Sequence, residues 1–152
     1  MFMTWHGRMV LLIAVWLVSS AALAQRNAAE HGLFESANRE RKAQGLPALK
    51  WDEALATAAR KHAEEMARQN SVAHTLPGEP SLPSRATKAG AHFGWLSENV
   101  IQANSAAGAH AQFMKSPNHK ANILDSDMDS VGIGVAERDG QLFVVEDFSK
   151  AK

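Results

Sequence analysis

The sequence predicts an α+β domain in which helices come before and between three β-strands. Across residues 55–66, apolar residues and one histidine recur at intervals of four, three and four, which is the spacing of one helix face. Over residues 131–148, apolar residues alternate with small ones, turn sharply at Asp139-Gly140 and return, as in a β-hairpin. A third strand is predicted at 96–102. Helices and strands in this order indicate layers packed around one core.

The first helix of the domain is predicted to run to about Gln44, after a short polar leader at residues 25–30. Gly45-Leu46-Pro47 then ends the helix, because a glycine adopts the left-handed backbone and proline cannot continue a helix. Asp52 is the predicted N-cap of the second helix, which carries the 55–66 repeat. His62 lies on the apolar face of this helix, so we expect a buried, hydrogen-bonded histidine rather than a ligand residue.

Residues 75–94 are rich in proline and glycine and predict a long surface segment with one short helix at about 83–89. A segment of that length in a small domain is more often functional or mobile than structural filler. After the strand at 96–102, Ser105 is the predicted N-cap of a helix that ends at Lys115.

Residues 1–24 have the three parts of a secretory signal peptide. Arg8 supplies a positive charge, residues 9–18 are an unbroken apolar run, and Ala22-Leu23-Ala24 matches the small-residue cleavage signal. The apolar run is short for a membrane-spanning helix. We therefore expect cleavage after Ala24 and export to the periplasm or the extracellular medium, with no integral membrane segment in the mature chain.

Removal of 24 residues from the chain of 152 takes away one charged side chain, Arg8, from a formal net charge of zero. The mature chain would have 128 residues and a net charge of −1, enough for a single domain at 31–149. A nearly neutral chain argues against nucleic acid or an anionic membrane as an electrostatically bound partner. Because the chain has no cysteine, disulfides and a lipidated N-terminal cysteine are excluded.

Three segments supply candidate site residues at predicted strand ends and helix starts. These are His74, the Glu98-Asn99-Val100 triplet and the run SPNHKANIL at 116–124, which contains Ser116 and His119. Side chains at such positions can converge on one cleft, so we expect His74, Glu98, Ser116 and His119 to line a ligand-binding cleft.

These segments, in their order along the chain, resemble the CAP superfamily, which includes cysteine-rich secretory, antigen 5 and plant pathogenesis-related proteins. The resemblance covers about residues 33–148 and is closest to the short, exported bacterial branch. The remaining matching blocks are Asn38-x-x-Arg41, Gly45-Leu46, Leu49-x-Trp51-Asp52 and the strand Val131–Ala136.

The resemblance implies an α–β–α sandwich around a three-stranded antiparallel sheet, with a cleft lined by two histidines and two acidic residues. Carried over to this chain, His74 and His119 are the histidines and Glu98 is the first acid. The second acid of the eukaryotic branch would fall at Ser116, which cannot act as one.

The chemistry of these residues leaves two interpretations of the cleft open. His74 and His119 could hold a divalent metal such as zinc, with Glu98 as third ligand or as a partner of bound water. Alternatively, both histidines cap and hydrogen-bond the loops around them, and no cofactor is required.

Three functions remain from the sequence. The first is a binding module for a small apolar or amphipathic, lipid-like ligand or for an envelope partner. The second is a metal-assisted hydrolase with Glu98 as the catalytic carboxylate; a Ser116 nucleophile is disfavoured because Ser116 is a predicted N-cap and lacks a G-x-S-x-G elbow. The third is an extracellular interaction protein with a vestigial cleft, although we expect Phe93 and Trp95 to pack inward. Binding is favoured over catalysis.

Overall fold

The computed structural model describes residues 6–152, with side chains from residue 20 onward. Of the predicted signal peptide at 1–24, residues 1–5 lie outside the described residues and the rest fall in the first helix, so its cleavage stays a prediction. Among the described residues, no helix has both the length and the apolar character needed to cross a membrane. In chain order the elements are α1 (His6–Ala43), β1 (Lys50–Trp51), α2 (Glu53–Gln69), α3 (Leu82–Lys88), β2 (Trp95–Ala103), α4 (Ala106–Lys115), α5 (Pro117–Ile123), β3 (Ser130–Arg138) and β4 (Gln141–Lys150).

The sheet has four strands in the order β1-β3-β4-β2, which corrects the expected three-stranded antiparallel sheet. Strands β2, β3 and β4 are antiparallel as predicted, but β1 adds a parallel edge, with Lys50 opposite Ser130 and Trp51 opposite Val131. Two residues are too few to show an alternating pattern. Residues 50–51 pair with β3 because the connection between the end of α1 and the Asp52 cap of α2 runs beside that strand.

Helices cover both faces of this sheet, so the α–β–α layering is present. Side chains alternate along β4: Val144 and Phe148 pack with α1, α4 and α5, whereas Phe143 and Val145 pack with α2. The α+β class predicted from the hairpin and helix patterns is confirmed.

Residues 25–30, which the sequence analysis assigns to a polar leader, are instead part of α1. Glu30 is buried, where it accepts hydrogen bonds from Arg60 Nη2 at 2.8 Å and from the Val135 backbone N–H at 3.3 Å. The packed domain therefore includes residues before 31, because this carboxylate joins α1 to α2 and β3.

Helix α2 approaches the sheet closely at two glycines of β3. A Cβ atom on Gly132 would lie 2.0 Å from the Ala56 backbone nitrogen, and one on Gly134 would lie 2.2 Å from the Ala59 carbonyl carbon. The glycines that alternate with valine and isoleucine in this strand therefore allow α2 to pack backbone to backbone. This approach fixes the position of the helix that carries His62.

Several local predictions are confirmed. Asp52 caps α2 by accepting from the Leu55 backbone N–H, and Ser105 caps α4 by accepting from Gly108. The hairpin turns at Asp139-Gly140, both with positive φ, at 52° and 74°. The short helix in the proline-rich segment is α3.

Candidate functional site

Two of the predicted cleft residues, His74 and Glu98, are in direct contact. Glu98 lies on β2, the edge strand of the sheet, and its side chain is only 3% exposed. His74 lies in the segment after α2, and its Nδ1 donates to Glu98 Oε1 at 2.8 Å. The His74 ring is 63% exposed, and its Nε2 makes no hydrogen bond within residues 20–152. A buried carboxylate thus orients an accessible imidazole.

Arg85, which the sequence analysis did not identify, holds the other side of Glu98. Its Nη2 donates to Glu98 Oε2 at 2.5 Å, and its Nη1 donates to the backbone oxygens of His74 and Pro80 at 3.1 and 3.0 Å. The planar guanidinium can satisfy several acceptors at once. Arg85 lies on the buried face of α3, so this short helix holds both Glu98 and the loop that bears His74.

A second acid, Glu79, extends the cluster away from the cleft. Glu79 Oε1 lies 2.7 Å from His62 Nδ1, and its Oε2 accepts from the Leu76 backbone N–H at 3.2 Å. The other ring nitrogen of His62 lies 2.9 Å from the Ala73 oxygen. The prediction of a buried, hydrogen-bonded His62 is therefore confirmed. Glu79 also lies 3.7 Å from Arg85, so it adds a second carboxylate to the cluster.

Asp147 completes the buried cluster from the neighbouring strand. It pairs with Glu98 in the β2–β4 register and is fully buried. Burial raises the pKa of Asp147 well above its usual value, and the negative charge of Glu98 raises it further. Burial and the charge of Glu98 therefore both favour the protonated form of Asp147. As a carboxylate it would have no donor among the described residues, whereas the protonated group can donate to Glu98.

His119 lies on α5, near His74. Its ring packs edge-on against Phe113, with centroids 5.1 Å apart, and its buried Nδ1 has no hydrogen-bond partner within the described chain. Burial lowers the pKa of His119, and the charge of His74 lowers it further. His119 is therefore neutral at neutral pH.

Ser116 is engaged as a helix cap. Its hydroxyl accepts from the His119 backbone N–H at 3.5 Å, at the N-terminus of α5. The predicted capping role is therefore confirmed, and this geometry gives Ser116 no activating base.

A second buried network holds α5 against β2. Asn99 donates to the His119 backbone oxygen and to Glu146 Oε2, both at 3.1 Å, and accepts from Asn122 at 2.8 Å. Glu146 is completely buried, and burial raises its pKa to about 7. One signal for both buried acids was available in the sequence: Glu146 and Asp147 interrupt the apolar run at 142–148.

The metal hypothesis requires ligands that the fold commits elsewhere. Within the part of the chain that the structure describes, no group of three or more histidine and acidic side chains is placed to hold a metal ion. Both oxygens of Glu98 are taken, one by His74 and one by Arg85. In this geometry Glu98 is not free to act as a third zinc ligand, and a metal held by His74 and His119 stays a prediction.

A groove of about 460 Å³ adjoins this cluster between α2, residues 77–80 and the end of α3. One face of α2 forms its floor, with residues 58, 61, 65 and 68 at helical spacing. The groove shares Glu79 and Arg85 with the His74–Glu98 cluster. The remaining lining residues are Pro77, Gly78, Pro80, Lys88 and Ala89.

The arrangement of these elements can be compared with known proteins. The family model "CAP: Cysteine-rich secretory protein family" matches residues 34–148. This chain belongs to the CAP family. Glu98, His74 and His119 therefore lie within a CAP domain. The matched residues begin within α1 and continue to β4.

Two curated relatives from Bacillus subtilis match this CAP domain. The chain is 28% identical over 120 residues to the uncharacterized protein YkwD, covering 78% of this chain and 47% of YkwD. It is 30% identical over 108 residues to the uncharacterized membrane protein YlbC, covering 70% of this chain and 31% of YlbC. The chain thus spans less than half the length of these relatives.

Solved structures show the same fold. An extracellular protein containing a SCP domain from Bacillus anthracis superposes with a TM-score of 0.77 at 25% identity, covering 82% of this chain and 41% of that one. An outer surface protein from Borrelia burgdorferi gives a TM-score of 0.75 at 22% identity, covering 82% of this chain and 94% of that one.

One surface feature of this CAP domain corrects a sequence expectation. Trp95 was expected to pack inward, but it is 65% exposed at the start of β2. Phe93 is half-buried, as predicted for packing. Trp95 lies beyond the end of α5, in a shallow groove with Asp125, Asp127 and Lys150.

Proposed function

We propose that this CAP protein is an exported binding module that takes a small amphipathic ligand in the groove between α2 and α3. The groove itself carries the proposal. Its volume of about 460 Å³ lies within the range of small-molecule sites, and its wall combines small apolar residues with charged side chains. Burial of an apolar ligand body against Ala58, Pro77, Pro80 and Ala89 would drive binding.

Export is supported by the sequence and by the nature of the neighbours. Residues 1–24 have the order of charges, apolar residues and small residues of a signal peptide. The Bacillus anthracis neighbour is described as extracellular and the Borrelia neighbour as an outer surface protein.

The cluster beside the groove is better suited to a scaffold than to a reactive centre. Each oxygen of Glu98 already accepts a hydrogen bond, and both ring nitrogens of His62 face an oxygen acceptor. A group that must exchange protons with a substrate needs an open position. We therefore place the cluster's role in holding residues 74–80, which form one wall of the groove.

A fluorescent fatty-acid analogue tests this proposal. Ala89 is half-buried at the end of α3, so Ala89→Phe should fill the groove and weaken uptake at least tenfold. Ala107→Phe places the same side chain on an exposed position of α4 and should leave uptake unchanged. Uptake should also survive Ser116→Ala, since Ser116 neither lines the groove nor holds its wall.

Hydrolysis is the second candidate, and one observation favours it. The Glu98–His74 pair has the geometry of an orienting carboxylate and an accessible general base. A substrate whose cleavage collapses in Glu98→Gln while ligand uptake stays at the wild-type level would establish a hydrolase. Absence of both uptake and turnover would contradict both candidates and direct attention to the surface at Trp95.

A further inference from the structure

The charges around the α2–α3 groove are not balanced. Four cationic side chains line it, Lys61, Arg68, Arg85 and Lys88, against two acidic ones, Glu65 and Glu79. The whole chain, by contrast, has equal numbers of basic and acidic residues. The groove is therefore a local excess of positive charge on a neutral protein.

Ion pairs within the protein neutralise the charges of the two arginines but not those of the two lysines. Arg68 pairs with Glu65 at 2.5 Å, and Arg85 pairs with the buried Glu98 at 2.5 Å. The ammonium groups of Lys61 and Lys88 make no ion pair or hydrogen bond within residues 20–152. Both lysines are exposed, one on α2 and one at the end of α3, so they stand on the two helical walls of the groove.

The acidic residues of the wall are engaged by other partners than these lysines. Hydrogen bonds from Arg68 and Gln69 hold Glu65 and lower its pKa to about 2. Glu79 is turned inward, where it meets His62 and the Leu76 backbone N–H.

We infer that the groove selects an amphiphile that carries an anionic head group, a carboxylate or a phosphate, held between Lys61 and Lys88. The apolar body of the ligand lies on Ala58 and the prolines of residues 77–80. This inference rests on the proposed function and adds the charge of the ligand to it. A single exposed charge pair is weak, so selectivity comes from two lysines acting on one head group.

Matched ligands of one chain length test the charge selectivity. Lauric acid, lauryl phosphate and lauryl alcohol differ at the head group alone, and inorganic phosphate supplies the anion without an apolar body. Binding is measured by calorimetry at low salt. The acid and the phosphate ester should bind about tenfold more tightly than the alcohol, and added salt should weaken only the two anions, because ions screen exposed charges.

The double variant Lys61→Gln/Lys88→Gln should remove this preference and leave binding of the alcohol unchanged. Lys42→Gln/Lys50→Gln makes the same change in net charge at exposed lysines outside the groove and should keep the preference. Circular dichroism checks that both variants fold.

The outcomes separate the two proposals. Equal affinity for the acid and the alcohol, or equal losses in the two double variants, would overturn the anion inference and leave amphiphile binding intact. Inorganic phosphate that binds as tightly as lauryl phosphate would instead overturn the amphipathic ligand and keep the anion site. Failure of every ligand to bind would overturn the proposed function and the inference together.

Discussion

Arg85 is the residue on which the geometry of the candidate site most depends. It is the buried cation that faces the carboxylates Glu98 and Glu79, and its guanidinium also holds the backbone at His74 and Pro80. A buried charge without a partner is far more costly than an exposed one. Removal of Arg85 would leave Glu98 beside Asp147 without its compensating charge.

Arg85→Met keeps much of the side-chain length but removes the charge and all of the donors. We expect it to lower the free energy of unfolding by about 3 kcal/mol or more, measured by urea denaturation. Arg68→Met breaks an ion pair whose arginine is 69% exposed, and its effect on stability should be far smaller, because water screens an exposed pair. Equal losses in the two variants would show that the buried cluster does not depend on Arg85.

The site residues that lie in a motif at an element boundary can be located from the sequence. Those defined by contacts between distant parts of the chain cannot. His74, Glu98 and the Ser116 cap could be located because each lies in a motif at an element boundary. Arg85 and Glu79 lie in a proline-rich segment whose path no periodicity predicts, so their contact with Glu98 depends on tertiary structure. Asp147 lies in a strand that was correctly predicted, but its pairing with Glu98 on β2 depends on the strand register.

At the scale of elements, the contact between α2 and β3 sets how the site is assembled. Gly132 and Gly134 let α2 lie directly on the strand, and α2 in turn places His62, Lys61 and the groove floor. The alternation that predicts β3 from sequence also contains this packing device. By contrast, β1 and the helical residues 25–30 carry no periodic signal, because one is too short and the other is polar.

Gly134→Ala tests the close approach of α2 to β3. The added Cβ would lie 2.2 Å from the backbone of α2 at Ala59 and Arg60, so the helix must move. Overpacking of this kind costs about 1–3 kcal/mol, and a clash with backbone should reach the upper end of that range. Gly32→Ala is the matched control: nothing lies within 4 Å of its added Cβ on α1, so it should be neutral or slightly stabilising. Thermal denaturation compares the two.

At the scale of the whole molecule, two acids are buried on opposite faces of one sheet. Asp147 faces the cluster beneath α2, and Glu146 faces α5 through Asn99. Burial raises the pKa of both carboxyls. The folded protein therefore binds these two protons more tightly than the unfolded chain does. Its stability must fall as the pH rises from the pKa values of the unfolded chain toward those of the folded protein.

The contribution of Glu146 to this pH dependence can be isolated. Its pKa rises from 4.5 to about 7 on folding, so its protonated form stabilises the fold fully below the lower value. As the pH rises from the lower pKa to the higher one, the fold loses about 3 kcal/mol of stability. Glu146→Gln keeps an oxygen acceptor for Asn99 but cannot ionise, so it should be more stable than the wild type at about pH 8 and close to it at about pH 4. Glu137→Gln, at an exposed position, should follow the wild type at both pH values. Urea denaturation at each pH measures the difference, and an advantage for Glu146→Gln that did not grow with pH would show that folding does not raise the pKa of Glu146.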